Sequence, residues 1–144
     1  GRLALMGAGM LVEALDLLEQ GTARYTEQDE NRATCTKLLT KEDGKVDFSR
    51  SACEINNLIR AMTPWPGCFT EFRGSFLKIT AARVHSESLV PHPPGFVFKA
   101  DKEHLLVACG TGSIEILRLQ MCNKKECDAC AFVCGYRMEG ETLG

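Results

Sequence analysis

The sequence predicts a mainly β chain with flanking helices: a five-stranded, OB-like Greek-key barrel preceded by an orphan helix and a linker. Three observations carry this reading. Apolar residues recur at helical spacing in the first 19 positions. From Cys68 the period changes to two and holds to about residue 120. Turn signals then cut that stretch into five short runs. Five short strands with helices at either end suit a small closed barrel; a five-stranded sheet packed on its two helices is the nearest alternative.

The chain has 144 residues, 44% of them hydrophobic and 25% charged, with a net charge of −2. That is enough to bury one good core. No apolar run approaches the roughly 18–20 residues that a membrane-spanning helix needs. No signal peptide is visible, and apolar residues spread along the whole chain exclude disorder. The composition reads as that of a cytoplasmic protein.

Leu3, Met6, Met10, Leu11, Ala14, Leu15 and Leu18 form one helical stripe over residues 3–19, with Gly21 as its stop. Little in the next residues could receive that stripe. Residues 1–21 are therefore expected to be the terminal helix of an N-terminal domain whose remainder lies upstream. Residues 22–44 are polar and turn-rich and read as a connector, and residues 45–144 as the β domain. Ser51-x-x-Glu54 matches a capping box, with Ser49 as an alternative cap. Ile55, Leu58, Ile59 and Met62 give the helix an apolar face, and Pro64 and Pro66 stop it. Strands are expected at about 68–72, 76–85, 95–100, 104–109 and 113–120, and a helix over 126–135 ending at Gly135.

Eight cysteines are the unusual number. Cys53, Cys68 and Cys109 stand among apolar neighbours and read as small hydrophobes in a reducing compartment. Cys122, Cys127, Cys130 and Cys134 form C-x4-C-x2-C-x3-C. Four thiolates could hold zinc or an iron–sulfur cluster. The spacing of 127, 130 and 134 instead places them along one buried stripe of the expected helix, so they are read as core and no metal is assigned. His85, His92 and His104 are scattered over strand ends and a Pro-rich loop, with no nucleophile-and-base signature. No catalytic residue is expected in this chain.

A series of short motifs is more informative. Gln28-Asp29-Glu30 with Ala33-Thr34 is followed by Lys-Glu-Asp-Gly-Lys-Val-Asp-Phe at 41–48, Ile59-Arg60-Ala61 and Pro64-Trp65-Pro66-Gly67. Leu77-Lys78-Ile79, Pro94-Gly95, Val107-Ala108-Cys109-Gly110, Leu119-Gln120 and Lys124-Lys125 come after. In this order the chain resembles the C-terminal half of the methionyl-tRNA formyltransferases. Phe48 stands where the family usually has Trp, and Asn123 where it has Gly before Lys-Lys. Asn tolerates positive φ and can replace Gly in a turn.

The resemblance implies an upstream α/β catalytic domain that carries the catalytic residues and the co-substrate 10-formyltetrahydrofolate, with no cofactor in this chain. It implies initiator tRNA as partner, held by the barrel and connector, together with the missing N-terminal catalytic domain, and no membrane. Duplex RNA is read through shape, phosphates and 2′-hydroxyls, which calls for Lys and Arg on one surface. The candidates are Lys124 and Lys125 before the last helix, Lys78 and Arg83 on the second strand, Arg60 on the capped helix, and Lys41 on the connector, where Lys37, Lys41 and Lys45 recur every four residues. Taken alone these read as a solvated surface. Arg60 could equally pair with Asp29, Glu30 or Asp47, and Trp65 between two prolines reads as a packing wedge. Two alternatives stay open: the barrel of another formyltransferase, such as one acting on an amino sugar without RNA, or a Cys-rich metal-binding module.

Overall fold

Helix α1 (Arg2–Glu19) opens the chain at the place its periodicity predicts. The computed structural model describes all 144 residues and divides them into two compact units, Gly1–Lys37 and Leu38–Gly144. Gly21 (φ 67°) closes α1. The amide of Thr22 donates to the Leu17 carbonyl at 3.0 Å and that of Gly21 to Leu18 at 3.1 Å, the paired bonds of a left-handed helix stop. No residue of α1 is buried, and Leu3, Met10, Leu11 and Leu15 are exposed. Gln28-Asp29-Glu30 leads into a short 3-10 turn at Glu30–Arg32, started by the Asp29 carboxylate accepting from the Asn31 amide at 3.0 Å.

In the second unit, α2 (Ala52–Met62) begins with the expected capping box. The Ser51 hydroxyl accepts from the Glu54 amide at 3.3 Å, and the Glu54 carboxylate accepts from the Ser51 amide at 3.1 Å. Ser49 serves elsewhere, donating its hydroxyl to Asp47. The helix buries Ala52, Ile55 and Ile59 and ends at Thr63, which is extended as a residue before proline must be.

The strands are β1 (Cys68–Phe72), β2 (Ser75–Ser86), β3 (Val97–Ala100), β4 (Leu105–Ala108), β5 (Ser113–Met121) and β6 (Cys127–Asp128), followed by α3 (Ala129–Gly135). They form one antiparallel sheet in the order β1-β2-β5-β4-β3, with β6 added to β5. Its inner side and the buried face of α2 share a core that includes Phe48, Ile55, Ile59, Phe72, Ile79 and Leu119.

Two expectations are corrected here. The sheet has six strands and is not a closed barrel, because β1 and β3 do not pair. Their free edges are covered by other backbone, as exposed strand edges require. The Val46 amide donates to Phe69 on β1 at 2.9 Å. The C-terminal tail covers β3, where Val97 donates to Glu141 at 2.8 Å and Gly140 to Val97 at 2.9 Å. The same tail reaches β1 through the Gly144 amide and the Glu71 carbonyl at 3.3 Å.

The expected helix over 126–135 starts only at Ala129. Arg118 on β5 binds Glu126 at 3.0 Å and Asp128 at 3.1 Å. That fork holds residues 127–128 extended on the sheet edge, so Cys127 is a strand residue and does not share a helical stripe with Cys130 and Cys134.

Candidate nucleic-acid interface

The register of β1, β2 and β5 builds the first part of the site. Phe69 pairs with Lys78, and Lys78 pairs with Gln120. A row Phe69–Lys78–Gln120 therefore crosses three strands on the outer face, while Leu77, Ile79 and Leu119 are buried on the inner one. Phe76 lies beside this row, 57% exposed, its carbonyl accepting from the Cys122 amide at 3.1 Å. The Phe69 and Phe76 rings are 5.1 Å apart, inclined at 48°.

Two motifs meet to wall this face. The 3-10 turn at Glu42–Gly44 abuts the Pro-Trp-Pro-Gly turn so closely that a Cβ on Gly44 would overlap the Gly67 carbonyl oxygen. Gly67 itself has φ 84° and donates to the Met62 carbonyl at 2.8 Å. The Lys78 stem crosses Gly67 where a side chain would otherwise stand. A cleft of about 410 Å³ results, with Lys41 and Lys78 beside Phe69, Phe76 and Met121. Trp65 is 61% exposed and is not the packing wedge its flanking prolines suggested.

Lys124 and Lys125 are exposed in the turn between β5 and β6. Asn123 holds that turn at φ 60°, the conformation expected of a Gly replacement. The Lys124 amide donates to Met121 at 3.0 Å and the Gln120 side-chain amide to the Lys124 carbonyl at 2.8 Å. Met121 lines both the first cleft and a smaller one of about 320 Å³ that carries the two lysines. Lys41, Lys78, Lys124 and Lys125 thus border adjoining surfaces, and none of them is in an ion pair.

The two arginines are placed differently. Arg60 is exposed in the last turn of α2 and unpaired. Asp47, one of its expected partners, is bound to Ser49 at 2.6 Å and lies 3.9 Å from Arg50. Arg83 lies opposite Glu115 and binds it at 2.7 Å; the Glu115 side chain is only 5% exposed and also meets His104 Nδ1 at 3.0 Å. Burial pushes the Glu115 carboxyl up, but the hydrogen bonds from Arg83 and His104 outweigh it and hold the group below its ordinary value. The Arg83 charge is thus committed to a buried carboxylate. Cross-strand register decides this, and sequence spacing does not show it.

His92 stacks between Phe96 and Phe98 at 5.1 and 5.2 Å, and His104 is held by Glu115. Cys68 and Cys109 are buried and their thiols are pushed up to about 11. Cys53, read as a small hydrophobe, is instead exposed beside Glu87. Cys122 and Cys134 are exposed and Cys127 and Cys130 half-buried, and of the four only Cys127 packs against the core. Nor do any three His, Cys, Asp or Glu side chains converge to hold a metal ion. No helix is long and apolar enough to cross a membrane. The sequence reading missed Phe69, Phe76 and Gln120. The alternation of Phe76 and Lys78 against buried Leu77 and Ile79 was the signal that could have found the first of them.

Residues 38–137 match the family of the formyl transferase C-terminal domain. The chain is 40% identical over 144 residues to the methionyl-tRNA formyltransferase of Geotalea daltonii, covering 99% of this chain and 45% of that protein. It is 42% identical over 137 residues to that of Koribacter versatilis, covering 94% of this chain and 43% of that one. The chain spans a little under half the length of these relatives. Among solved structures, a variant of HypX from Aquifex aeolicus superposes with a TM-score of 0.62 at 17% identity, over 92% of this chain and 23% of that one. HypX in complex with tetrahydrofolic acid gives 0.59 at 18%, over 85% of this chain and 22% of that one. At such identity the likeness is one of fold. With a family match over 100 residues of the second unit and these relatives over nearly the whole chain, the chain belongs to the formyl transferase C-terminal domain family.

Proposed function

We propose that this chain is the C-terminal, tRNA-binding part of a methionyl-tRNA formyltransferase. The whole enzyme, cytoplasmic in this reading, transfers a formyl group from 10-formyltetrahydrofolate to the amino group of methionyl initiator tRNA. Residues 1–21 end the catalytic domain, 22–44 connect it, and 45–144 form an OB-like module whose sheet edges are spanned by the tail. The chain positions RNA, and the catalytic groups and the folate belong to the upstream domain.

One observation carries the reading: four unpaired lysines, Lys41, Lys78, Lys124 and Lys125, border adjoining clefts in a chain whose net charge is −2. Free ammonium groups gathered locally on a near-neutral protein suit phosphate contact, where counterion release supplies the affinity. Arg60 is an exposed, unpaired cation on α2 that lines neither of these clefts, and Arg83 contributes only in competition with Glu115.

Titration of the chain with folded initiator tRNA, an elongator tRNA and a single-stranded RNA tests the reading. Four phosphate contacts predict affinity for folded tRNA that falls about 150-fold between about 50 and 200 mM salt. Absence of binding to any RNA at low salt overturns it and favours a formyltransferase module acting on another substrate, such as an amino sugar.

A further inference from the structure

The 410 Å³ cleft is more than a charged surface. Duplex phosphates need only cations along a surface, whereas this cleft sets two aromatic rings beside two lysines. Phe76 is 57% exposed although it lies on a well-paired strand. An aromatic held in water at such a position has a face to offer. Lys78 stands two residues along the same side of β2, and Lys41, at the start of the 42–44 turn, lines the same cleft.

We propose that this cleft binds one unstacked nucleotide of an RNA strand, its base against the Phe76 and Phe69 rings and its phosphate on Lys78 and Lys41. The proposal rests on the RNA-binding reading and adds a ligand class to it. The volume suits one base with its sugar better than a duplex. Aromatic side chains on a sheet face bind unpaired bases through stacking, and nearby cations take the backbone. Gln120 completes the polar edge. One of its amide protons is given to the Lys124 carbonyl at 2.8 Å, which fixes the group and leaves its oxygen free for a base edge. Glu42 lines the same cleft but leaves the pair of lysines in excess, since Glu126, which also interacts with Lys78, is already paired with Arg118. It also disfavours a bare polyanion that has no base to bury.

The test uses the full 144-residue chain with three ligands: a five-nucleotide single-stranded RNA, an abasic strand of the same length, and folded tRNA. The expected result is that the oligonucleotide binds, that the abasic strand binds at least about tenfold more weakly, and that Phe76→Ala removes that difference. Lys78→Met should lower the salt slope for the oligonucleotide by about 0.7. Since both side chains point outward, circular dichroism melts should show the variants folded. Equal affinity for the abasic strand, an unchanged affinity in Phe76→Ala, or no oligonucleotide binding overturns the proposal. If folded tRNA still binds in any of those cases and weakens in Lys124→Ala/Lys125→Ala, the wider RNA reading survives the loss of this one. If no RNA of any kind binds, both fall.

Discussion

Lys78 and Arg83 lie on the same strand and point to the same side of the sheet, yet one is in no ion pair and the other is bound. The difference is their partner across β5: Gln120 faces Lys78, and Glu115 faces Arg83. A neutral amide leaves the ammonium to solvent and ligand, whereas a nearly buried carboxylate claims the guanidinium at 2.7 Å. The odd spacing of 78 and 83 would place them on opposite faces of a regular strand. The register shifts between Ile79, Ala81 and Ala82 add a bulge and return Arg83 to the outer side. A basic residue on a strand is therefore not yet a ligand contact; its cross-strand neighbour decides.

The two ends of the β2–β5 ladder can be broken separately. The largest effect is expected for Gly44→Ala, whose Cβ would overlap the Gly67 carbonyl and pry apart the two turns that wall the Lys78 cleft. Overpacking against backbone predicts a loss of about 3 kcal/mol in urea unfolding, together with weakened RNA binding. The Arg83 end should keep its ion pair.

Glu115→Gln acts on the other end. Loss of the charged acceptor for Arg83 and His104 should cost about 1–2 kcal/mol near neutral pH, read as a lower Tm. The lowered carboxyl of Glu115 gives this a definite pH dependence. Its contribution is complete above the ordinary value of 4.5 and is lost as pH falls through its lower folded value. The wild-type and variant melting curves should accordingly converge in acid. The same substitution frees Arg83, and the salt slope of tRNA binding should rise if that arginine lies within reach of the RNA.

Thiol chemistry sets inner and outer surfaces apart without altering stability. Cys122 and Cys134 are exposed, while burial pushes Cys68 and Cys109 up to about 11. Alkylation of the native chain at pH 8, followed by mass spectrometry, should mark the first pair well before the second. Early modification of Cys68, which lines the Lys78 cleft, would mean that the strand beneath it opens in solution.

Much of the framework was legible. The capping box at Ser51 and Glu54, the run of β1, the stop at Gly21 and the positive φ of Asn123 each follow from local rules that few residues decide. What escaped depends on residues distant in sequence. The bulge in β2 leaves no mark in a run of alternating residues. The extended conformation of Cys127 and Asp128 needs Arg118 on the neighbouring strand. The open sheet, in place of a closed barrel, follows from a tail that spans the edges of β3 and β1 without forming a strand. Trp65 was misread because two flanking prolines say nothing of what lies above the ring. For the site, the lysines were legible as charges, but which of the cations stay unpaired was not.

The central claim, that the lysines outside any ion pair serve RNA and the paired Arg83 does not, is tested most directly by the slope of log affinity against log salt for folded initiator tRNA. Wild type, Lys124→Ala/Lys125→Ala and Arg83→Ala should be measured side by side. The account predicts a slope reduced by about two in the lysine pair and unchanged in Arg83→Ala. An equal reduction in Arg83→Ala, or none in the lysine pair, would contradict it.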